Sequence, residues 1–230
     1  MARPRNGPLL TRDQIIQAAL DLVDQDGLDA LSMRKLAGQL GVDPMSIYHH
    51  VPGKDALLRA LVEHVFENMS QPVRDGDWCH RVRSWATAYR ALAAEHPNLV
   101  LRIVSDPSAI AVAATRINDT LYAALEASGM SADVVVASAG VLVDFVHGYC
   151  LSLTATTRQQ DLHEAFQAEF RSELDKQPPD KTKTLRRLYT EGVGSDRDGF
   201  RFGLDVILHG LDTLSAQGTR RTGPPPRQND

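Results

Sequence analysis

The sequence predicts an all-α protein. Apolar residues recur at helical spacing from the first segment, at about 12–26, to the last, at about 198–217, and no stretch alternates convincingly as a strand would. Most of these segments begin with a Ser, Thr or Asp that can cap a helix, and several end at a glycine. We therefore expect a small N-terminal helical domain followed by a larger helical domain.

The composition limits the class of protein. The chain has 230 residues, of which 43% are hydrophobic, enough for a real core. Its two cysteines, Cys79 and Cys150, lack the spacing of a disulfide framework or zinc ribbon, so we expect a reducing cytoplasm. No signal peptide and no run of eighteen apolar residues is evident, so no membrane association is expected. The net charge of -4 argues against a protein that binds nucleic acid generally, without regard to sequence.

The first two helices have clear start and stop signals. Thr11 and Gln14 match a capping box at the start of the helix at 12–26. Ser32 is the expected cap of the second helix. Gly41 ends that helix, because glycine accepts a positive φ without steric cost.

A short third helix and a fourth follow. Asp43 offers a capping carboxylate and Pro44 takes the first helical position, while Pro52 and the glycine after it end the third helix near residue 50. The fourth helix starts near Lys54. Its apolar side consists of Leu57, Leu58, Leu61, Val65, Phe66 and Met69.

The window that begins at Met33 meets three separate steric demands. Ala37 is a small residue that lets the second helix cross close to the first. Gly41 makes the turn, and Ile47 is a branched apolar residue that anchors the third helix in the core. This combination predicts a helix-turn-helix, with an ordinary helical hairpin as the alternative.

The sequence also predicts helices in the remainder of the chain. Capping residues and apolar stripes predict helices at about 78–95, 97–104, 107–128, 132–154 and 198–217. Residues 156–197 are polar, and whether they are ordered stays open. Within them, Leu162, Phe166, Phe170 and Leu174 predict one amphipathic helix, and Leu185, Leu188 and Tyr189 a further turn or two. The expected organisation is a flexible basic arm (1–10), a helix-turn-helix domain (11–70), a second helical domain (77–217) and a disordered tail (218–230).

Residues 11–69 resemble the DNA-binding domain of the TetR (tetracycline-repressor-like) family of bacterial regulators. The matching pieces are the capped first helix, the LAGQLGV turn, the YHHVPGK segment and the paired leucines of the fourth helix. The resemblance implies a cytoplasmic homodimer that binds a palindromic double-stranded operator and is released by a small-molecule effector. A transcriptional activator of the same fold is one alternative, since the sign of regulation depends on operator placement, and a helical small-molecule enzyme is the other.

The third helix carries the candidate DNA-reading residues. With Ile47 facing inward, its outward residues are Pro44, Met45, Ser46, Tyr48 and His49. The first three would contact base edges. The resemblance implies phosphate contacts for Tyr48, His50 and Lys54, and Arg34 on the second helix can reach a base or the backbone. The alternatives are that Tyr48 belongs to the core and that His50 packs against the first helix.

The second domain carries candidate effector and dimer residues. Trp85, Tyr89, Asn118 and Tyr122 are aromatic or polar residues on apolar helices, typical of a small-molecule site, with core filling as the alternative. Residues 98–105 hold no histidine, which the family's tetracycline repressors use for magnesium, so tetracycline is not expected. The resemblance implies that helices 132–154 and 198–217 form a four-helix bundle across the dimer. The candidate interface residues are Gly140, Gly148, Gly203, Leu204, Gly210 and Leu211, unless these glycines ease packing within one subunit.

Catalysis and cofactors are not expected. The sequence has no nucleophile elbow, P-loop, HExxH or dinucleotide-binding glycines. Asp144, His147 and Cys150 recur every three residues and form a weak candidate for a metal site, with a buried polar cluster as the alternative.

Overall fold

The computed structural model describes residues 10–100, 111, 119–154, 159–190 and 198–221, without side-chain detail for 152–154, 159–167, 190 and 217–221. Within these ranges every regular element is a helix, as predicted. The helices are α1 (Arg12–Asp26), α2 (Met33–Leu40), α3 (Pro44–Tyr48), α4 (Lys54–Glu67), α5 (Trp78–Glu95), α6 (described over 119–126), α7 (Ala132–Thr154), α8 (Gln159–Lys176), α9 (Lys183–Thr190) and α10 (Gly199–Arg221). A 3-10 turn at Leu28–Ala30 follows α1, and residues 97–100 are also helical.

The predicted caps of the N-terminal helices are confirmed. Thr11 Oγ1 accepts a hydrogen bond from the backbone N–H of Gln14 at 3.2 Å, and Gln14 Oε1 accepts one from the Thr11 N–H at 3.0 Å. Ser32 Oγ accepts from the N–H of Lys35, and Asp43 Oδ1 accepts from the N–H of Met45. These bonds satisfy backbone donors that have no partner inside their own helix.

Gly41 sets the angle between α2 and α3. Its φ of 66° lies in the left-handed region, where a side chain costs roughly 1–2 kcal/mol. The N–H of Val42 donates to the Ala37 carbonyl at 3.0 Å and closes the end of α2. The turn then delivers Asp43 to the start of α3.

A single packed core holds α1, α2, α3 and α4 together. Helix α1 packs against α2 and α4, and α2 packs against α3. Ala37 and Ile47 are fully buried, as their positions in the helix-turn-helix window predict. The predicted apolar side of α4 is also buried throughout its length. We call this four-helix assembly, residues 11–67, the reading unit.

The second part of the chain is organised around α7. Helix α7 packs against both α5 and α10. Its bounds, Ala132–Thr154, agree with the prediction, and α6 ends before Gly129, whose φ is 78°. Most of the two helices expected at 97–104 and 107–128 lies outside the described residues.

The polar region after α7 contains the helices that the sequence predicts. Helix α9 has eight residues, which is about two turns. It packs against α8, with the rings of Phe170 and Tyr189 4.5 Å apart. Arg186 on α9 also donates to the Asp175 carboxylate at 3.1 Å. This tertiary support comes from contacts that the spacing of apolar residues within α9 does not reveal.

The last helix runs further than expected. Helix α10 continues to Arg221, whereas the tail was expected to begin at Gly218, and 222–230 lie outside the described residues. A single glycine costs a helix only about 1 kcal/mol, and the residues around it are mostly good helix formers.

Helix α7 departs from the composition-based expectation about membranes. Residues 132–151 are long and apolar enough to cross a membrane, by length and composition alone. One face of this helix, however, is buried in the protein by Val135, Ala139, Leu142 and Val146. The apolar composition therefore reflects a core face together with exposed apolar side chains outside it, which include Val136 and Val141.

Candidate nucleic-acid interface and buried aromatic cluster

The outward side of α3 combines exposed apolar and polar side chains. Met45 is 61% exposed and Tyr48 is 42% exposed, whereas Ile47 between them is fully buried. His49 and His50 are also exposed, and Pro44 and Ser46 are half-buried. Tyr48 is therefore not a core residue, and the exposure of His50 leaves it accessible to a partner.

Two cations flank this surface. Arg34 on α2 and Lys54 at the start of α4 are exposed, and neither forms an ion pair or side-chain hydrogen bond within the described ranges. Lys35, by contrast, pairs with Asp26 at 2.7 Å. Gly53 precedes α4 without a side-chain cap, so backbone N–H groups at this helix end remain available to an anion. The surface can bind phosphate at its edge and apolar or polar groups at its centre.

A buried aromatic cluster joins α4, α5 and α7. Trp85 and Tyr89 of α5 are 0% and 3% exposed, and their ring centroids are 5.7 Å apart in an edge-to-face arrangement. Tyr89 also contacts Phe66 of α4, with centroids 5.8 Å apart. On the α7 side, the Tyr89 hydroxyl lies 2.5 Å from Nε2 of His147. We call Phe66, Trp85, Tyr89 and His147 the aromatic cluster.

The aromatic cluster is uncharged at neutral pH and contains an unpaired donor. Burial lowers the pKa of His147, with the nearby Asp144 carboxylate opposing the shift, and burial raises the pKa of the Tyr89 hydroxyl. The buried Trp85 Nε1–H has no hydrogen-bond partner in the described part of the chain. An unsatisfied buried donor typically costs about 1–3 kcal/mol. This donor is therefore a candidate contact for a bound molecule.

The structure brings some of the predicted effector residues together but not all of them. Trp85 and Tyr89 lie together, and Tyr122 is half-buried against the core. Asn118 lies outside the described residues. Sequence reasoning did not assign Phe66 and His147 to this site. The available signal was His147 itself, a titratable side chain on a strongly apolar helix.

The three-residue repeat on α7 does not build a metal site. No group of three potential ligands occurs among the described residues, which include Asp144, His147 and Cys150. Three residues turn an α-helix by about 300°, so each step drifts by about 60°. Asp144 is consequently exposed while Cys150 is buried, and burial raises the pKa of the Cys150 thiol to about 11.

The candidate dimer residues divide between two faces of α7 and α10. Gly140, Gly148 and Gly210 are exposed. Leu204 and Leu211 are buried within the chain, and a Cβ at Gly203 would lie 2.6 Å from the Phe145 ring.

The prediction for Gly203, Leu204 and Leu211 therefore requires correction, because their face of α10 packs on α7. The opposite face carries exposed apolar side chains. On the two helices these are Val136, Val141, Phe202, Val206 and Leu214, each about half exposed.

A separate groove of about 610 Å³ lies between α5 and α10. Its charged residues include Arg83 and Asp205, which already pair with each other through Arg83 Nε at 3.1 Å. Its lining also includes the exposed Val206. The aromatic cluster, with its unpaired donor, is the stronger candidate for a ligand site.

Two family models together match most of the chain. Residues 15–61 match the model described as bacterial regulatory proteins, tetR family. Residues 72–215 match the model described as tetracyclin repressor-like, C-terminal domain. The two matches correspond to the reading unit and to the helices that follow it.

Relatives and solved structures match this protein over most of its length. The HTH-type transcriptional repressor DrrR1 of Streptomyces coeruleorubidus is 30% identical over 240 residues, covering 96% of this chain and 85% of the relative. The crystal structure of apo ActR from Streptomyces coelicolor is 25% identical with a TM-score of 0.74, covering 92% of this chain and 99% of that chain. ActR in complex with actinorhodin is 27% identical with a TM-score of 0.72, covering 89% and 96%.

The burial of His147 predicts a specific pH dependence of stability. Its folded-state pKa lies below that of an unfolded histidine, so the unfolded chain binds a proton first as the pH falls. The contribution of His147 to the free energy of unfolding is fully present above about pH 6.5 and is lost as the pH falls below that value. His147→Gln keeps an amide near the Tyr89 hydroxyl but cannot titrate. Urea unfolding at about pH 7.5 and about pH 5.5 should show a smaller loss of stability in this variant than in the wild type.

The matched control for this measurement is His209→Gln, a substitution at an exposed histidine of α10. This control should lose as much stability on acidification as the wild type. An equal loss in His147→Gln and wild type would contradict the assigned role of His147.

Proposed function

Because the chain belongs to the tetR family of bacterial regulatory proteins, we propose that α3 and its flanks bind one half of a palindromic operator and that the aromatic cluster binds the effector. The chain is a ligand-responsive DNA-binding repressor that acts as a homodimer, and it is not an enzyme. We place it in the bacterial cytoplasm, where its operator DNA is located. The observation that carries the proposal for DNA binding is the exposed surface around Met45 on a short helix anchored by Ile47.

The centre of the α3 surface suits contact with base edges. Met45 is the most prominent exposed apolar side chain of the reading unit, and it can contact a thymine methyl group in the major groove. Pro44 offers a similar apolar contact, whereas the Ser46 hydroxyl can donate to or accept from several bases. His49 lies beside them at the end of the helix. Sequence preference therefore depends mainly on the first turn of α3.

The flanks of the surface suit contact with the DNA backbone. Lys54 lies at the uncapped N-terminus of α4, where the helix dipole adds to its own charge. Tyr48 and His50 at the end of α3 are also exposed, as is Arg34 on α2. Phosphate contacts fix the register of a protein on DNA without distinguishing sequences. We assign Tyr48, His50, Lys54 and Arg34 to this role, with Arg34 also able to reach a base.

Two alanine substitutions test this division of roles. Lys54→Ala should weaken binding to all DNA sequences alike. It should also reduce the slope of log affinity against log salt concentration by about one, which corresponds to the loss of one phosphate contact. Met45→Ala should change the preference between sites by about 1–3 kcal/mol. Gel-shift titration at several salt concentrations against a set of related duplexes measures both effects.

A control for charge removal is Lys183→Ala, at the exposed start of α9 and outside the reading unit. It should leave DNA binding unchanged. The proposed division of roles fails if Met45→Ala and Lys54→Ala both act uniformly on all sequences.

The exposed apolar face of α7 and α10 supplies the dimer interface. Val136 and Val141 on α7 and Val206 and Leu214 on α10 are each more than half exposed. Gly140, Gly148 and Gly210 lie exposed on the same two helices and allow a partner helix to approach closely. Large exposed apolar side chains on two neighbouring helices favour an interaction site here. A twofold axis through this face would pair two reading units for a palindrome.

A charge placed on this face should separate the two subunits. Val141→Glu and Val206→Glu bury an unpaired carboxylate in the proposed interface, which is strongly unfavourable. Sedimentation velocity at about micromolar concentration should show a dimer for the wild type and a monomer for both variants. Val73→Glu, at another exposed valine, should remain dimeric. Dimeric Val141→Glu and Val206→Glu would exclude this face.

The aromatic cluster defines the chemistry of the proposed effector. Its walls are aromatic, its Tyr89–His147 pair is neutral, and its unpaired group is the Trp85 N–H donor. These features favour a largely apolar, planar molecule that carries a hydrogen-bond acceptor such as a carbonyl oxygen. ActR, of the same fold, has been crystallised with actinorhodin. Because Phe66 belongs to α4, a molecule bound at this cluster would shift α4 and thereby the reading unit.

Removal of the indole donor tests this ligand class. Trp85→Phe keeps an aromatic ring but cannot donate a hydrogen bond. We expect at least one member of a panel of planar aromatic ketones and quinones to raise the melting temperature of the wild type. Its affinity should fall roughly tenfold in Trp85→Phe, the equivalent of about 1.4 kcal/mol.

Trp78→Phe provides the matched control, since Trp78 is the other tryptophan of the chain and lies at the start of α5. This variant should bind the same compounds as tightly as the wild type. Equal affinity in Trp85→Phe, or no binding by the wild type, would reject the proposed class of effector.

A further inference from the structure

We infer that Asp24, His96 and Asn98 attach the reading unit to the C-terminal domain at a second point and thereby fix the separation of the two α3 helices in the dimer. We call these three residues the α1 strap. The inference rests on the proposed palindromic operator, because separation matters only when two reading units bind one DNA molecule. It concerns positioning residues, since none of the three lies on the DNA-binding surface.

The α1 strap consists of contacts between residues more than 70 positions apart. His96 Nδ1 lies 2.8 Å from Asp24 Oδ2, and since a carboxylate oxygen can only accept, this nitrogen carries the hydrogen. The Asn98 amide donates to the Val23 carbonyl at 2.9 Å and lies 3.4 Å from the Asp24 carbonyl. The side chains of His96 and Asp24 are only 14% and 27% exposed. These bonds therefore form in a partly desolvated environment, where they are stronger than at an open surface.

The two ends of the α1 strap are each held firmly in place. On one side, Asp24 belongs to the last turns of α1, which packs against both α2 and α4. On the other side, Leu99 and Val100 follow Asn98 directly and are almost completely buried. A displacement at residues 96–100 must therefore reach α1, and through α2 it must reach α3.

A second attachment changes how the reading unit can move. The first attachment of the reading unit to α5 is at the end of α4, where residues 68–77 continue the chain and Phe66 contacts Tyr89. A rigid body held at one point can rotate about every axis, whereas one held at two points can rotate only about the line between them. The α1 strap therefore restricts the swing of α3. In a dimer, this restriction selects one distance between half-sites.

Local stabilisation of α1 is the alternative role, and the chain offers a control that separates the two. Asp26 lies two residues beyond Asp24 and pairs with Lys35 at 2.7 Å. Both partners of that pair belong to the reading unit and are about half exposed. Loss of the Asp26 contact can affect stability, but it cannot release the reading unit from the C-terminal domain.

The test measures binding of the full-length protein to palindromes with altered spacing. Half-sites are first selected by the wild type from a random duplex library. The central spacer is then lengthened or shortened by about one to three base pairs, each of which moves a half-site by about 3.4 Å along the DNA. The wild type should show one optimal spacing, with affinity falling roughly tenfold or more on either side.

In Asp24→Ala and Asn98→Ala, the ratio of the affinity at the optimal spacing to the affinity at the other spacings should fall at least threefold. The preferred half-site sequence should stay unchanged. Asp24→Asn retains an acceptor oxygen for His96 and should restore most of the wild-type profile. Asp26→Ala should keep the wild-type profile. Thermal unfolding verifies that each variant is folded. If Asp24→Ala does not fold, Asn98→Ala still tests the same attachment, because it removes the contact from the C-terminal side.

The possible outcomes separate this inference from the proposed function. Wild-type spacing profiles in both Asp24→Ala and Asn98→Ala would overturn the α1 strap while leaving operator binding intact. A uniform loss of affinity at every spacing would also overturn it, because that is the signature of simple destabilisation. If the wild type selects no palindrome, the proposed operator function fails and the inference fails with it.

Discussion

The edge-to-face contact between Phe66 and Tyr89 connects the reading unit to the proposed effector site. Helix α4 contributes Leu57 and Leu61 to the core of the reading unit and, two turns later, presents Phe66 to the aromatic cluster. The same helix therefore belongs to the DNA-binding core and to the wall of the proposed effector site. Side chains in a close-packed interior cannot yield independently, so a molecule that displaces Tyr89 must also displace α4. Communication between the two sites requires no additional element.

The Phe66–Tyr89 contact and the α1 strap restrict the reading unit in complementary ways. The aromatic contact is apolar and tolerates sliding, because the energy of ring packing changes gradually with distance. The hydrogen bonds of Asp24 and Asn98 are directional and are lost over a fraction of an ångström. A combination of one tolerant and one directional contact favours two discrete orientations over a continuous range. Such a two-state element is what a ligand of modest differential affinity can shift.

Sequence reasoning succeeded where structure is determined by neighbouring residues. The capping box at Thr11, the left-handed glycine at Gly41 and the Asp43 cap depend on a few adjacent positions, and all three are confirmed. It failed where the outcome depends on which face of a helix meets a distant partner. Gly203 packs against Phe145 from another helix, and His147 is paired with Tyr89, 58 positions earlier in the chain. No periodicity within α7 or α10 distinguishes an inner apolar face from an outer one when both faces are apolar.

The charge of the reading unit is consistent with the proposed control of DNA binding by geometry. Residues 11–69 carry more acidic than basic side chains, so general attraction to DNA contributes little to binding. The α3 surface instead offers apolar contacts from Met45 and a few cations at its edge, and one such surface provides only modest affinity. Tight binding then requires that both subunits engage the operator at once, as an effectively intramolecular second event. Because that event depends on the distance between the two α3 helices, we propose that a small rotation of each reading unit is enough to release the DNA.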